Sequence, residues 1–102
     1  MKTEIIAEIG WNHMGNMSLA KKMIIAAKKS GANTAKFQYW NPANLKKGPW
    51  DKDGRRQIYN KAFLDEKKIR LLKHICKENK INFLISIFGS SSIELMKKLK
   101  IN

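Results

Sequence analysis

An α/β fold built on a parallel sheet is the class this sequence predicts, and three observations carry the prediction. Three short apolar segments, each bounded by Gly, Asn or Ser, have the composition of strands. Amphipathic helical patterns lie between and after them. The resulting order, strand, helix, strand, loop, helix, strand, helix, is that of successive βαβ units. The 102 residues make one small domain at most, residues 1–102, with 43% hydrophobic residues, enough to fold around a core.

The first strand is expected over Glu4–Ile9. A helix follows from Ser18 to Ser30, capped by Ser18 or Asn16 and ended by Gly31, where a left-handed residue is wanted. Leu19, Met23, Ala26, Ala27 and Ser30 share one face and are expected inward. Lys21, Lys22, Lys28 and Lys29 share the opposite face, and Ile25 stands out of place among them. The second strand is expected over Asn33–Tyr39. Then comes a long connection, Asn41 to Ala62, holding Pro42, Gly48-Pro49, Trp50, Asp51, Gly54, Arg55, Arg56 and Tyr59. Such a length implies either a substrate-covering loop or a solvated excursion. A helix begins near Asp65, with Ile69, Leu72 and Cys76 inward and His74 on the surface. The third strand is expected over Asn82–Phe88. The last helix begins at Ser90-Ser91-Ser92, with Ile93, Met96 and Leu99 inward and Lys97, Lys98 and Lys100 mostly outward.

Composition excludes several classes of function. No uncharged apolar run approaches the ~20 residues that span a bilayer, and the start lacks the pattern of a secretory signal. The single cysteine, Cys76, makes no internal disulfide and no zinc pair, so a reduced cytoplasm is the expected compartment. A net charge of +13 suggests nucleic acid, but 18 of the 21 basic residues are Lys and only Arg55, Arg56 and Arg70 are Arg. Because the lysines are spread over separate helix faces, solvated surfaces explain them better than a phosphate-binding stripe.

The site is sought where polar residues break the strand pattern. Side chains alternate along a strand, so Ile5, Ala7 and Ile9 share one face, and Ile6 and Glu8 the other. Ala35, Phe37 and Tyr39 oppose Lys36 and Gln38; Phe83, Ile85 and Ile87 oppose Leu84, Ser86 and Phe88. A strand covered on both sides should be almost wholly apolar. Glu8, Lys36, Gln38 and Ser86 depart from that at matching depths near the C-terminal ends of their strands, where parallel α/β folds place their sites. The ammonium and hydroxyl suit phosphate or carboxylate oxygens, and the carboxylate suits proton transfer, a metal or a sugar hydroxyl. The alternative is a buried Glu8–Lys36 ion pair without catalytic duty, which would be a poor stabiliser. The turn Gly10-Trp11-Asn12-His13-Met14-Gly15-Asn16 has neither a dinucleotide-loop nor a P-loop spacing. Asn12 and His13 could reach a ligand from it, although a lone loop histidine more commonly makes a turn hydrogen bond.

The ordered set Ile5-Ile6-Ala7-Glu8-Ile9-Gly10, Asn12-His13, Gly15, Leu19-Ala20-Lys21-Lys22, Ala26-Ala27, Gly31-Ala32 and Lys36-Phe37-Gln38 resembles the N-terminus of the sialic acid synthase family. Phe83 to Phe88 and the Ser-rich helix start are also similar. The resemblance implies that the chain forms the first three units of a TIM (β/α)₈ barrel, truncated. It implies condensation of phosphoenolpyruvate with an N-acetylated hexosamine such as N-acetylmannosamine, releasing phosphate, assisted by Mn²⁺ or Mg²⁺. Carried over by position, Glu8 is catalytic, Lys36 binds phosphoenolpyruvate, Gln38 stands beside it, Ser86 meets the phosphate, and Asn12 and His13 line the site. Met14 stands where the family usually has Asn or another polar residue, and Tyr39 where Thr commonly follows the glutamine.

The family's two metal-binding histidines, and a domain that completes the site across a homodimer, are expected beyond Asn102. The chain alone is expected to have no synthase activity. Two other readings stay open: another phosphoenolpyruvate-condensing barrel synthase, or a non-enzymatic basic α/β module binding nucleic acid or an acidic partner.

Overall fold

The computed structural model describes residues 3–101. Strand β1 (Ile6–Gly10) leads through a tight turn to helix α1 (Met17–Lys29), and β2 (Thr34–Tyr39) follows. Two short 3₁₀ turns, Pro42–Asn44 and Pro49–Asp51, precede helix α2 (Arg55–Ala62). Helix α3 (Glu66–Glu78), strand β3 (Asn82–Ile87) and helix α4 (Ser91–Lys98) complete the order. The three strands form one parallel sheet in the order β1-β2-β3.

One face of the sheet carries the core. Ile9, Ala35, Phe37, Tyr39 and Ile85 are buried there with Ala20 and Ile24 of α1, Ile69, Leu72, Ile75 and Cys76 of α3, and Met96 and Leu99 of α4. Phe37, at the centre of the middle strand, is wholly buried and stacks on Phe83 at 5.7 Å. Cys76 is part of this core, and burial pushes its thiol up to about 12. The opposite face is open: Ile6 and Leu84 are exposed on it. Among the described residues, no helix is long and apolar enough to cross a membrane.

Each helix is set by local chemistry. Asn16, not Ser18, caps α1, its side chain accepting from the Leu19 amide at 3.1 Å. Asp65 caps α3 in the same way, accepting from Lys68 N–H at 2.8 Å. The inward stripe of α1 is rotated from the expected one. Ala20 and Ile24 are fully buried, with Met17, Met23 and Ala27 beside them, whereas Leu19, Ala26 and Ser30 are exposed. The small Ala20 sits one turn before Ile24 on the line that meets the sheet, so this pair defines the face. Ile25 is half-buried, and the four lysines are exposed as expected.

A similar rotation affects α4. Its buried line is Ser92, Met96 and Leu99, and Ile93 is exposed. Ser92 tolerates burial because its hydroxyl donates to the Phe88 carbonyl at 2.7 Å. No side chain of Ser90 caps the helix.

The connection after β2, expected as a loop throughout, is partly regular. Its last eight residues are α2, entered through Gly54 at φ +86°, with the Asp53 carboxylate accepting from the Arg55 amide. Arg56, on the first turn of α2, then gathers the rest of the loop around its guanidinium.

Candidate active site

The strand register brings the expected polar residues onto one open face. Glu8 of β1 pairs in register with Lys36 of β2, and Gln38 of β2 with Ser86 of β3. The four do not lie at one depth: Gln38 and Ser86 sit one pleat, roughly 6–7 Å, beyond Glu8 and Lys36 towards the C-terminal ends. Lys36 Nζ lies 3.8 Å from Glu8 Oε1. The two side chains are 32% and 59% exposed, so this is a loose pair on an open surface rather than a buried ion pair. Both charges can therefore turn to a ligand without breaking a tight bond.

Just past Glu8 the strand carries an irregularity that the alternation pattern does not reveal. The register slips between Glu8 and Gly10, so Gly10, at φ +56°, pairs with Phe37, leaving Ile9 as the extra residue of a bulge. Bulges of this kind commonly re-aim side chains beside functional sites.

The turn after β1 is held by its own backbone and by His13. Asn12 N–H donates to Ile9 O at 3.0 Å, and Met14 N–H to Trp11 O at 2.9 Å. Met14 and Gly15 both adopt left-handed backbone, at φ 53° and 78°. Asn12 is exposed. His13 is wholly buried, its ring 6.1 Å from that of Phe37, and its Nδ1 accepts from the Gly15 amide at 2.9 Å. An accepting Nδ1 assigns the proton of the neutral ring to Nε2, which is buried and has no partner among the described residues. Burial, and then the charge of Lys68, hold the His13 pKa below its ordinary value of 6.5, the Gly10 carbonyl acting the other way. His13 thus makes the turn hydrogen bond, and in this structure its imidazole faces inward beneath the turn, while Asn12 faces out.

An aromatic cluster backs the strand ends, and the strand patterns give no sign of it. Trp11 and Trp40, the residues just after β1 and β2, stack with ring centroids 5.1 Å apart. Tyr59 of α2 meets Trp40 edge-on at 5.0 Å. Trp11 Nε1 donates to the Gln38 carbonyl at 2.6 Å, so the cluster fixes the backbone that carries Gln38. The usable signal is an aromatic residue one or two positions past each strand end.

The resemblance implies a divalent metal, which needs a set of clustered donors. Among the described residues, no three His, Cys, Asp or Glu side chains come together as a group able to hold a metal ion.

Comparison with known proteins agrees with the geometry. N,N'-diacetyllegionaminic acid synthase of Campylobacter jejuni is 37% identical over 109 positions, covering 96% of this chain and 33% of that protein. N-acetylneuraminate-9-phosphate synthase of Drosophila melanogaster is 35% identical over 108 positions, covering 95% of this chain and 29% of that protein. In the solved structures, the N-acetylneuraminic acid (sialic acid) synthetase of Leptospira borgpetersenii superposes with a TM-score of 0.79 at 28% identity, over 99% of this chain and 34% of that one. The chain therefore spans about a third of the length of these relatives. Residues 23–102 match the NeuB family, and with an open face of Glu8, Lys36, Gln38 and Ser86 on a parallel sheet, this chain belongs to that family of sialic acid synthases.

Proposed function

We propose that the chain supplies the first three βα units of a (β/α)₈ barrel in a nonulosonic acid synthase. In that enzyme phosphoenolpyruvate condenses with an N-acetylated hexosamine such as N-acetylmannosamine, and phosphate is released. The observation that supports this best is the placing of one carboxylate, one ammonium, one amide and one hydroxyl on the open face of a parallel sheet, as the in-register pairs Glu8–Lys36 and Gln38–Ser86. In this reading the open face becomes the barrel interior.

Each residue has a task that its chemistry suits. Lys36 places its ammonium against an anionic oxygen of phosphoenolpyruvate. Ser86 and Gln38, side by side one pleat further out, donate hydrogen bonds to the phosphate and to the bound substrate. Glu8, loosely paired and more than half exposed, handles a proton near the reacting carbons. Asn12 reaches the substrate from the turn after β1. His13 contributes from beneath by holding the Gly15 amide. Mn²⁺ or Mg²⁺ belongs to the same reading, with its ligands on later strands, as do a homodimeric full-length protein and a cytoplasmic location.

The test is phosphate release by the full-length protein from phosphoenolpyruvate, assayed with N-acetylmannosamine and related N-acetylated hexosamines, with mass spectrometry of the product. Lys36→Met should raise the KM for phosphoenolpyruvate, and Glu8→Gln should lower kcat with that KM nearly unchanged. Phosphoenolpyruvate consumption unaffected by either change would overturn the assignment.

A further inference from the structure

We propose that Arg56 is a positioning residue that shapes an acceptor-binding groove at the C-terminal rim of the sheet. The inference rests on the synthase reading and concerns the acceptor half of that reaction.

The segment between β2 and α2 has little regular structure of its own, and one guanidinium holds it. Arg56 Nη1 donates to the Pro42 carbonyl at 3.1 Å. Nη2 donates to the carbonyls of Leu45 and Lys46 at 3.1 and 3.2 Å. Nε donates to the Asp51 carboxylate, whose other oxygen accepts from the Gly48 amide at 2.9 Å. Trp50 Nε1 adds a bond to the Lys46 carbonyl at 2.8 Å. A single planar fork thus ties four points spread over ten residues. A lysine ammonium carries the same charge but cannot span carbonyls in these directions.

Of the residues so held, Leu45 lines a groove of about 210 Å³, together with Trp40, Asn41, Asn44, Phe88 and Gly89. Trp40 follows Gln38 by two residues, and Phe88 follows Ser86 by two. The groove therefore opens one further pleat, roughly 6–7 Å, beyond the proposed phosphate-binding pair. None of its lining side chains is charged. The exposed Phe88 ring, with Trp40 held beside it by its stack on Trp11, suits the C–H surface of a sugar ring, and two amide side chains suit hydroxyl or acylamino groups. Asn41 Oδ1 is engaged by the Ala43 amide at 2.9 Å, which fixes that side chain in place. Such a lining offers no ammonium or guanidinium to phosphate or carboxylate oxygens and suits a neutral sugar. Lys36 would then serve phosphoenolpyruvate and the groove its acceptor, with Arg56 setting the groove's shape without touching either substrate.

The experiment measures steady-state phosphate release by full-length wild type, Arg56→Lys and Arg56→Ala, varying each substrate in turn, with hydrogen exchange over residues 42–53. Both variants are expected to raise the KM for the N-acetylated hexosamine by about tenfold or more. The KM for phosphoenolpyruvate should stay within about twofold, and exchange in the loop should accelerate. If Arg56→Ala does not fold, Phe88→Ala carries the same expectation for the two KM values, because it removes the exposed far wall and leaves the clamp intact. Restoration of the acceptor KM in Arg56→Lys would overturn the proposal, since charge alone would then suffice. So would parallel rises in both KM values, or a looser loop with an unchanged acceptor KM. An inactive wild-type protein would instead sink the synthase reading, and the groove's assignment with it.

Discussion

Replacing Gly15 with alanine tests the packing of the turn that carries Asn12 and His13. Gly15 has φ +78°, and a Cβ built on it would stand 1.9 Å from the Lys61 carbonyl oxygen and 3.0 Å from the carbonyl carbon. The obstacle is main chain at the end of α2 and cannot rotate aside. Two costs add: about 1–2 kcal/mol for a side chain in left-handed backbone, and about 1–3 kcal/mol for overpacking. Gly31 separates them, because it has φ +95° but nothing within 4 Å of its Cβ position. Gly31→Ala should therefore show the first cost alone. Thermal unfolding of the full-length protein reads the difference. At roughly 2–4 °C per kcal/mol, Gly15→Ala should melt a further ~2–12 °C below Gly31→Ala. The turn should also lose its hold on Asn12, lowering turnover. Equal melting temperatures for the two variants would refute the close approach of Gly15 to α2.

Three more outcomes follow from the same turn and core. His13 has a folded pKa below its unfolded value, so above about pH 6.5 it has no effect on stability. As pH falls below that, the unfolded chain takes up a proton that the folded chain resists. Stability should then drop by up to about 1.4 kcal/mol per pH unit, until the folded ring itself protonates. His13→Gln should flatten that part of the profile in denaturant midpoints measured between pH 7.5 and 5, and an unchanged slope would count against a buried neutral ring. Cys76, with its thiol at about 12, should resist alkylation at pH 8 in the native protein and react once it is unfolded. Peptide mass spectrometry checks this, and native labelling at the rate of a free thiol would contradict the burial. Met14 occupies left-handed backbone at φ 53° with an exposed side chain, a conformation that Asn tolerates better. Met14→Asn should therefore stabilise by about 0.5–1 kcal/mol, read as a higher melting temperature.

Much of the sheet was legible in the sequence because strand alternation is a local property. The three segments fell within two residues of β1, β2 and β3, and the faces assigned to Glu8, Lys36, Gln38 and Ser86 were those observed. Depth along the strands was not legible. It depends on the register between strands, which leaves no mark in one sequence. The rotations of α1 and α4 were missed for a related reason. Leu19 and Ile93 are apolar enough to fill an inward position, but Ala20 and Ser92 lie on the lines that meet the sheet. Helix α2 was hidden by the glycines and prolines before it, although the run from Arg55 to Ala62 holds no breaker. The clamp of Arg56 joins residues up to fourteen positions apart through main-chain carbonyls, which carry no side-chain identity to read.

The stacked pair of Trp11 and Trp40 gives the rim of the sheet an optical signature. Two indoles with centroids 5.1 Å apart and planes inclined by only 16° are close enough for their excited states to couple. One indole follows β1 and the other follows β2, so the coupling persists only while those two strand ends keep their spacing. The same Trp11 ring is bonded to the carbonyl of Gln38, which links the signal to a residue of the candidate site. A couplet in the near-ultraviolet circular dichroism, lost in Trp40→Phe, would make the molecule its own reporter. Ligand binding and loop opening could then be followed without an added label.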